Sequence, residues 1–241
     1  MRLVFLGTRG EINVRSKRHW MHSSLLVTDS NSRIMIDCGK DWAGRFRTMN
    51  LDAIVLTHAH SDHAGGLKCG ASCPVFATAE TWEPLKGYAI TERRQIGAYQ
   101  PFRIGQIVFE AVPVSHSLLA PAVGFNIRGA RGGLQIFYVP DVAAIPNQSK
   151  ALSATEIYIG DGATVQRPIL RRRDDHLIGH ASIASQLSWC QQEGIRRAIF
   201  THCGSQIVKG GDQSIRAKLR ELGRSCEIAV RLAYDGLRIS I

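Results

Sequence analysis

Short runs of apolar residues, each bounded by glycine or polar residues, recur along the whole chain. Runs of this length that are rich in β-branched and aromatic residues are typical of β-strands. The predicted strands cover residues 3–6, 24–28, 33–36, 53–56, 107–114, 123–127, 134–139, 157–159, 198–200 and 228–232. Polar residues that directly follow such strands are held in place by a rigid sheet, so we expect a functional site among them.

Helical spacing of apolar residues occurs in three places. One helix is predicted to begin near Ser182, and a second covers residues 213–222 and stops at Gly223, a favourable C-terminal glycine. A third covers residues 79–88 and is interrupted by Pro84. No linker or low-complexity segment divides the chain. Residues 1–241 are therefore predicted to form one domain, in which sheets pack on each other under a cover of helices.

The composition favours a globular protein with a large core. The chain has 241 residues, of which 44% are hydrophobic. The apolar run at its start is too short for a signal peptide, and no stretch approaches the roughly 18 apolar residues of a membrane span. We therefore expect a soluble, cytoplasmic protein with no membrane partner. The cysteines are expected to be free thiols or metal ligands, and Cys69 and Cys73 are candidates for a small structural metal site.

The chain is strongly basic. It has 30 Lys and Arg against 20 Asp and Glu, which gives a formal net charge of +10. A field of this sign raises the local concentration of anions, so nucleic acid or another phosphate-rich substrate is the natural partner. Net charge alone does not separate such a role from solubility, and the distribution of the cations therefore matters more.

The strongest chemical signal is the segment LTHAHSDHAGG, residues 56–66. An apolar strand leads directly into a short loop that carries His58, His60, Asp62 and His63 and ends in two glycines. Imidazole and carboxylate groups at this density are typical ligands of zinc and similar ions. The spacing indicates that residues two apart turn toward one ion while the next acidic and imidazole pair reaches a second.

This H-x-H-x-D-H motif resembles that of the metallo-β-lactamase superfamily, and other pieces follow in the family's order. Asp37 and Gly39 end an early strand, His116 follows a later one, and Asp141 and His202 end two more. The resemblance covers nearly the whole chain. It implies an α/β fold, a four-layer αββα sandwich, with a metal site at one edge of the sheets.

The resemblance also implies two divalent metal ions, with zinc as the expected metal and manganese or iron as alternatives. One ion would bind His58, His60 and His116, and the other would bind Asp62, His63 and His202. Asp141 would bridge them opposite a shared hydroxide, which Asp62 would orient. Two ions about 3.5–4 Å apart lower the pKa of such a water and stabilise a developing oxyanion.

Within the superfamily, two further features resemble the phosphodiesterase branch that includes ribonuclease Z. The segment LGTRG, residues 6–10, is one, and the segment around His180 is the other. The resemblance implies that Asp161 and His180 act together as an acid near the leaving group. A helix dipole after His180 disfavours imidazolium, and a carboxylate partner such as Asp161 offsets that effect.

Two departures separate this chain from ribonuclease Z itself. Only 24 residues lie between His116 and Asp141, too few for the long arm with which that enzyme grips tRNA. The acidic partner of His180 is Asp161 rather than a glutamate. Processing of tRNA ends is therefore less favoured than hydrolysis of another phosphodiester, as in compact cyclic phosphodiesterases.

Clusters of cations flank the expected site in the sequence. Arginine suits phosphate because its planar fork makes two parallel hydrogen bonds. Trp20 lies beside the cations of residues 15–18, where it would stack on a nucleic-acid base or pack at the rim of the site. Residues 174–176 are expected to be ordinary surface. The predicted substrate-binding residues are Arg15, Lys17, Arg18, Arg171, Arg172 and Arg173.

Three functions are compatible with these residues. The leading hypothesis is a dinuclear metal-dependent phosphodiesterase or nuclease acting on a nucleic-acid or nucleotide phosphodiester. The second keeps the metals but hydrolyses a small thioester or lactone. The third is a nucleic-acid-binding module with a structural metal site, for which steeply salt-dependent binding without hydrolysis is expected. A homodimer is left open.

Overall fold

The computed structural model describes the backbone of residues 1–241 and every side chain except that of residue 212. Its strands form two seven-stranded sheets and one separate hairpin. The first sheet contains β1 (Arg2–Gly7), β2 (Ser24–Asp29), β3 (Ser32–Ile36), β4 (Ala53–Val55), β5 (Val75–Ala77), β6 (Arg93–Gln95) and the last strand of the chain, β16 (Arg238–Ser240). The second contains β7 (Pro101–Ile104), β8 (Ile107–Val114), β9 (Ala122–Gly129), β10 (Ile136–Tyr138), β11 (Ile157–Asp161), β14 (Arg197–Thr201) and β15 (Ala229–Leu232). The hairpin consists of β12 (Ile169–Arg173) and β13 (His176–His180).

The helices are short except for two near the C-terminus. They are α1 (Ser61–Ala64), α2 (Ala79–Trp82), α3 (Gln148–Leu152), α4 (Ile183–Gln192), α5 (Ser205–Lys209) and α6 (Asp212–Ser225). Single 3-10 turns occur at Lys40–Trp42, Arg45–Thr48 and Gly65–Leu67.

The buried residues form three layers. The central layer lies between the two sheets and includes Phe5, Ile34 and Phe125. A second layer lies between the second sheet and α4–α6, and a third covers the outer face of the first sheet under Trp42 and Trp82. This is the α/β four-layer αββα sandwich predicted from the sequence.

Alternation along each strand supplies both faces of a sheet. In β11, Ile157 and Ile159 belong to the central layer, whereas Tyr158 belongs to the layer under the helices. The strands β10, β11, β14 and β15 run parallel to one another, so their C-terminal ends meet at one edge of the second sheet.

All ten predicted strands are confirmed, with ends that differ by one or two residues. The short strands β5, β6, β7 and β16 and the hairpin β12–β13 were not predicted. The strands β6 and β12 are exposed and rich in charge, and β13 is only partly buried, so none of the three carries a clear apolar pattern. Residues 171–180, where the apolar pattern predicts no strand, therefore belong to a hairpin. Asp174 and Asp175 make its turn with φ of 48° and 62°, the left-handed conformation that tight hairpins require.

The start of α4 is confirmed, because the Ser182 hydroxyl caps it by accepting a hydrogen bond from the amide of Ser185. The predicted end of α6 at Gly223 is wrong, because the helix continues to Ser225. Glycine is needed there for close packing, since a Cβ on Gly223 would lie 2.6 Å from the carbonyl oxygen of Ile228. The helix predicted over residues 79–88 is also too long, because α2 ends at Trp82 and leaves residues 83–87 in turns around Pro84.

None of the six cysteines forms a disulfide, in agreement with the expectation of free thiols or metal ligands. Cys69 is exposed and Cys73 is partly buried, and neither belongs to a cluster of metal-ligating side chains among the residues that the structure describes. Within the same residues, no helix is long and apolar enough to cross a membrane.

Candidate metal centre

Five strand ends deliver the candidate ligands to one edge of the sandwich. β4 ends at Val55, and the following segment carries His58 and His60 into α1. The other side chains lie directly after β8, β10 and β14 or at the end of β11. They are His116, Asp141, His202 and Asp161.

The first cluster contains His58, His60, His116 and Asp141, whose ligand atoms lie within 4.8 Å of one another. Nε2 of His58 lies 2.9 Å from Nδ1 of His60 and 3.3 Å from Oδ2 of Asp141. Nε2 of His116 lies 3.3 Å from the same Nδ1 of His60. Burial first, and then the nearby His63 ring, hold the pKa of His58 well below its ordinary value. This ring is therefore neutral and can offer a nitrogen lone pair to a metal ion.

The second cluster contains Asp62, His63, His202 and the same Asp141. Nε2 of His63 lies 2.9 Å from Oδ2 of Asp141, and Nδ1 of His202 lies 2.9 Å from Oδ1. Nε2 of His202 lies 3.1 Å from Oδ2 of Asp62. Asp141 is thus the one side chain that belongs to both of these clusters.

The donor set fits divalent cations. Nε2 of His63, Nδ1 of His202 and Oδ1 of Asp141 are buried, and despite the 2.9 Å contacts of both rings with Asp141, none of these three atoms makes a hydrogen bond among the described residues. Buried polar atoms without partners are costly, and a cation between them would supply the missing partner. Burial alone would raise the pKa of Asp141, but His202, His116 and His63 outweigh it and hold that pKa well below its ordinary value. The mixture of imidazole and carboxylate suits zinc, manganese or iron.

A buried network positions His63. Its Nδ1 lies 2.8 Å from Oδ2 of Asp37. The amide of Thr57 donates to the other carboxylate oxygen of Asp37, at 2.8 Å, and the hydroxyl of Thr57 lies within donating distance of both oxygens, at 2.9 Å and 3.0 Å. Such carboxylate–imidazole contacts orient metal ligands and increase their basicity. Sequence reasoning noted Asp37 only as the end of a strand and missed Thr57, which directly precedes His58.

Asp161 and His180 form a pair beside the second cluster. Nδ1 of His180 lies 2.7 Å from Oδ2 of Asp161 and 3.4 Å from Oδ1 of Asp141. Burial lowers the pKa of His180, but Asp161 and Asp141 outweigh it and raise that pKa to about 10. The structure therefore brings together the two residues that the sequence paired, and it favours a protonated ring.

Gln186, on α4, holds this pair in place and was not found from the sequence. Its Oε1 accepts hydrogen bonds from the amide of Asp161 and the hydroxyl of Tyr158, at 2.9 Å and 3.0 Å. Its Nε2 donates to the carbonyl oxygens of Asp161 and Ala181, at 2.8 Å and 3.3 Å. In the sequence, a glutamine at the spacing of the apolar residues Ile183, Leu187 and Cys190 is the signal that would have indicated it.

The clusters open into a cavity of about 610 Å³, which we call the metal cavity. Its wall includes apolar groups from Ile12, Ala163 and Ile169 and polar groups from Glu11 and Gln206. Among the described residues that line it, none is a lysine or an arginine. The carboxylate of Glu11 accepts hydrogen bonds from the ammonium group of Lys40, at 2.6 Å, and from the hydroxyl of Ser61, at 3.1 Å.

The six predicted phosphate-binding cations therefore lie outside this cavity. Arg15 pairs with Asp41 at 2.8 Å and lies over the ring of Trp20. Lys17 and Arg18 line other cavities, on the side of α6. The three remaining arginines, Arg171, Arg172 and Arg173, are exposed on β12.

A two-sheet sandwich with a histidine and aspartate cluster at one edge defines a class of metal-dependent hydrolase. Residues 32–203 match the sequence model of the "Beta-lactamase superfamily domain" family, which spans well over half of the chain. The chain belongs to this family. The match confirms the predicted superfamily and the prediction of a metal-dependent hydrolase domain.

Known relatives share this domain at low sequence identity. The chain is 28% identical over 204 residues to an octanoyltransferase of Porphyromonas gingivalis; the match covers 75% of this chain and 38% of that protein. It is 23% identical over 242 residues to a ribonuclease Z of Mycobacterium marinum, with 80% of this chain and 84% of that protein covered. The crystal structure of a diphosphatase from the PhnP family superposes with a TM-score of 0.75 at 21% identity, covering 100% of this chain and 97% of that one. This chain therefore spans about two fifths of one relative and most of the others.

Proposed function

We propose that this domain is a metal-dependent phosphodiesterase that holds two divalent ions. His58, His60 and His116 would bind one ion, and Asp62, His63 and His202 would bind the other. Asp141, which belongs to both clusters, would bridge them. Bound divalent ions would supply an activated water and stabilise negative charge on the phosphoryl oxygens.

The chain's own contribution to bond cleavage would come from His180. Because Nδ1 of His180 faces Asp161, the other ring nitrogen, Nε2, is the atom left to donate a proton. His180 lines the cavity and keeps 24% of its side chain exposed, so a leaving-group oxygen bound there would have access to it. Asp161 would hold the ring and keep it protonated, and Gln186 would hold Asp161.

The Asp161–His180 pair is the observation that carries this proposal. An alkoxide is a poor leaving group, and a positioned acid contributes about 10²–10⁴-fold to its departure. A thiolate, with a pKa of about 8.5, leaves without such help. The pair therefore favours a phosphodiester over a thioester as the substrate.

A second candidate is hydrolysis of a small lactone or another carbonyl substrate. It is favoured by the absence of Lys and Arg from the described lining of the cavity, together with the apolar contribution of Ile12 and Ile169. Lactones also expel an alkoxide, so His180 alone does not separate the two substrates. Side-by-side assay of the metal-loaded protein on bis-p-nitrophenyl phosphate, an acyl thioester and a lactone does.

The leaving-group dependence of His180→Ala tests the acid role. We expect a loss of about 10²–10⁴-fold on a dinucleotide, whose leaving group is an alkoxide. The loss should be much smaller on a nucleoside p-nitrophenyl phosphate, whose leaving group needs little protonation. His176→Ala, on the same strand β13 but exposed, is the matched control. Equal losses on both substrates would reject proton donation by His180.

A further inference from the structure

A cavity lined by four arginines lies between α6 and β15, away from the candidate metal centre. Its volume is about 480 Å³. Arg216 and Arg220 come from α6, Arg231 from the edge strand β15, and Arg18 from the loop after β1. The guanidinium of Arg18 lies 4.0 Å from the centre of the Tyr234 ring, which also lines the cavity.

This cavity continues at both ends. A smaller cavity of about 210 Å³ shares Arg18 and Leu232 with it and adds Lys17. A third, of about 390 Å³, shares Arg220 and Val230 with it and adds Arg224. We call the three together the arginine groove; its cations are Lys17, Arg18, Arg216, Arg220, Arg224 and Arg231.

The stripe of cations follows from the sequence of α6. Ile215 and Leu219 are buried against the second sheet. Arg216, Arg220 and Arg224 recur every fourth residue, so they lie along one side of the helix. At 1.5 Å per residue they extend over about 12 Å. The groove is therefore longer than a site for a single phosphate needs to be.

Carboxylates are scarce among the described residues that line the groove. Glu227 is the one acidic residue among the described lining residues of the groove, and it pairs with Arg196 at 2.9 Å. Within the part of the chain that the structure describes, Arg220 and Arg231 make no ion pair. Both side chains are exposed, so their guanidinium groups are accessible to an anion.

The groove ends next to the metal cavity. Ser205 and Gln206, at the start of α5, line the metal cavity, whereas Ile207 and Val208 of the same helix line the Lys17 end of the groove. The loop after β1 is shared in the same way, since Gly10 contributes to the metal cavity and its later residues contribute to the groove. A polymer bound in the groove would therefore need to pass only α5 to reach the metal cavity.

We propose that the arginine groove binds the sugar–phosphate backbone of a single polynucleotide strand and guides it toward the metal cavity. The proposal rests on the proposed function, for which it names a polymeric substrate. Backbone contacts of this kind position a nucleic acid without reading its sequence. A single strand has the flexibility to bend around α5, which a duplex lacks.

Binding of a fluorescent oligonucleotide to the metal-loaded protein tests the groove. A phosphorothioate-linked strand of about 12 nucleotides keeps the backbone charge, resists hydrolysis and exceeds the length of the groove. The variant R220Q/R231Q removes two of its cations. R128Q/R131Q removes two exposed arginines from the region of β9, outside both the groove and the metal cavity, and is the matched control.

We expect R220Q/R231Q to weaken binding at low salt by at least about tenfold and to reduce the slope of log K against log salt by about 1.4, at about 0.7 per lost phosphate contact. R128Q/R131Q should change neither quantity appreciably. Similar losses in both variants would overturn the proposal, because net charge alone would then account for binding. Competition by pyrophosphate at the same concentration of phosphate groups as the strand would also overturn it in favour of a small-anion site.

Two arms separate this proposal from the proposed function. RNA and DNA strands of equal length should bind alike, whereas a preference above about tenfold would overturn recognition through the backbone alone. Bis-p-nitrophenyl phosphate, which does not reach the groove, should be hydrolysed equally by wild type and R220Q/R231Q. Groove-dependent binding without hydrolysis of any phosphodiester would reject the proposed function but would still support the groove as a binding site for the strand.

Discussion

The metal cavity and the arginine groove share α5 as a wall, but their polar groups differ in burial and in how firmly they are held. In the cavity, buried imidazoles and carboxylates are held by specific partners, as His63 is by Asp37. In the groove, exposed arginines extend from α6 and β15. Bond cleavage needs groups fixed in position, whereas capture of a polyanion needs only charge at the right spacing. The net charge of +10 therefore does not identify the reacting site.

The substitution Asp141→Asn should break this comparison most strongly, because Asp141 belongs to both metal clusters. We expect the content of bound metal to fall and hydrolysis to drop by at least about 10³-fold, since both ions of the proposed centre would depend on this carboxylate. Elemental analysis and turnover of bis-p-nitrophenyl phosphate measure the two effects, with Asp174→Asn in the exposed hairpin turn as the control. Retention of both ions with normal turnover would contradict the bridging role.

The substitution Thr57→Val should have an intermediate effect confined to the metal cavity. It removes the hydroxyl that donates to Asp37, and loss of such supporting contacts costs about 10–100-fold in metal affinity. Thr155→Val is the matched control, because Thr155 is also buried but its hydroxyl has no hydrogen-bond partner among the described residues. Metal affinity is measured by competition with a chelator, and equal affinities of the two variants would remove Thr57 from the site.

The triple variant R171A/R172A/R173A should have the smallest effect. These arginines are exposed on β12, outside both the metal cavity and the groove, and exposed charges are screened over about 8 Å at physiological salt. We expect kcat/KM for a dinucleotide to change by less than about twofold, as for other screened surface charges. A tenfold loss would restore the hairpin to the substrate site and weaken the contrast between cavity and groove.

The order of the strands and the candidate metal-ligating residues could be predicted because each depends on a local pattern. His58, His60, Asp62 and His63 lie within six positions of one another, so no tertiary contact is needed to see them as a group. His116, Asp141 and His202 could be added because each follows an apolar strand. Their assignment to the two clusters came from the family resemblance rather than from spacing.

The rest depended on contacts between distant segments. Gln186 lies 25 residues after Asp161, and only the packing of α4 on β11 brings its side chain to that backbone. The predicted end of α6 was wrong for the same reason. Gly223 does not end the helix; a glycine is needed there because the segment that leads into β15 packs closely against the helix. In the hairpin, β12 is exposed and β13 is only partly buried, so no clear apolar pattern predicts it.

The sequence by itself determined the sandwich fold, the family and the set of candidate metal-ligating side chains, because apolar alternation and clustered histidines are local properties. Tertiary structure decided which cations face which cavity. Arg18 in the loop after β1, Arg216 in α6 and Arg231 in β15 are far apart in the chain, and they line one cavity only because α6 packs on the edge of the second sheet. The sequence specifies which side chains are charged, but the packing around each side chain decides which cavity it faces.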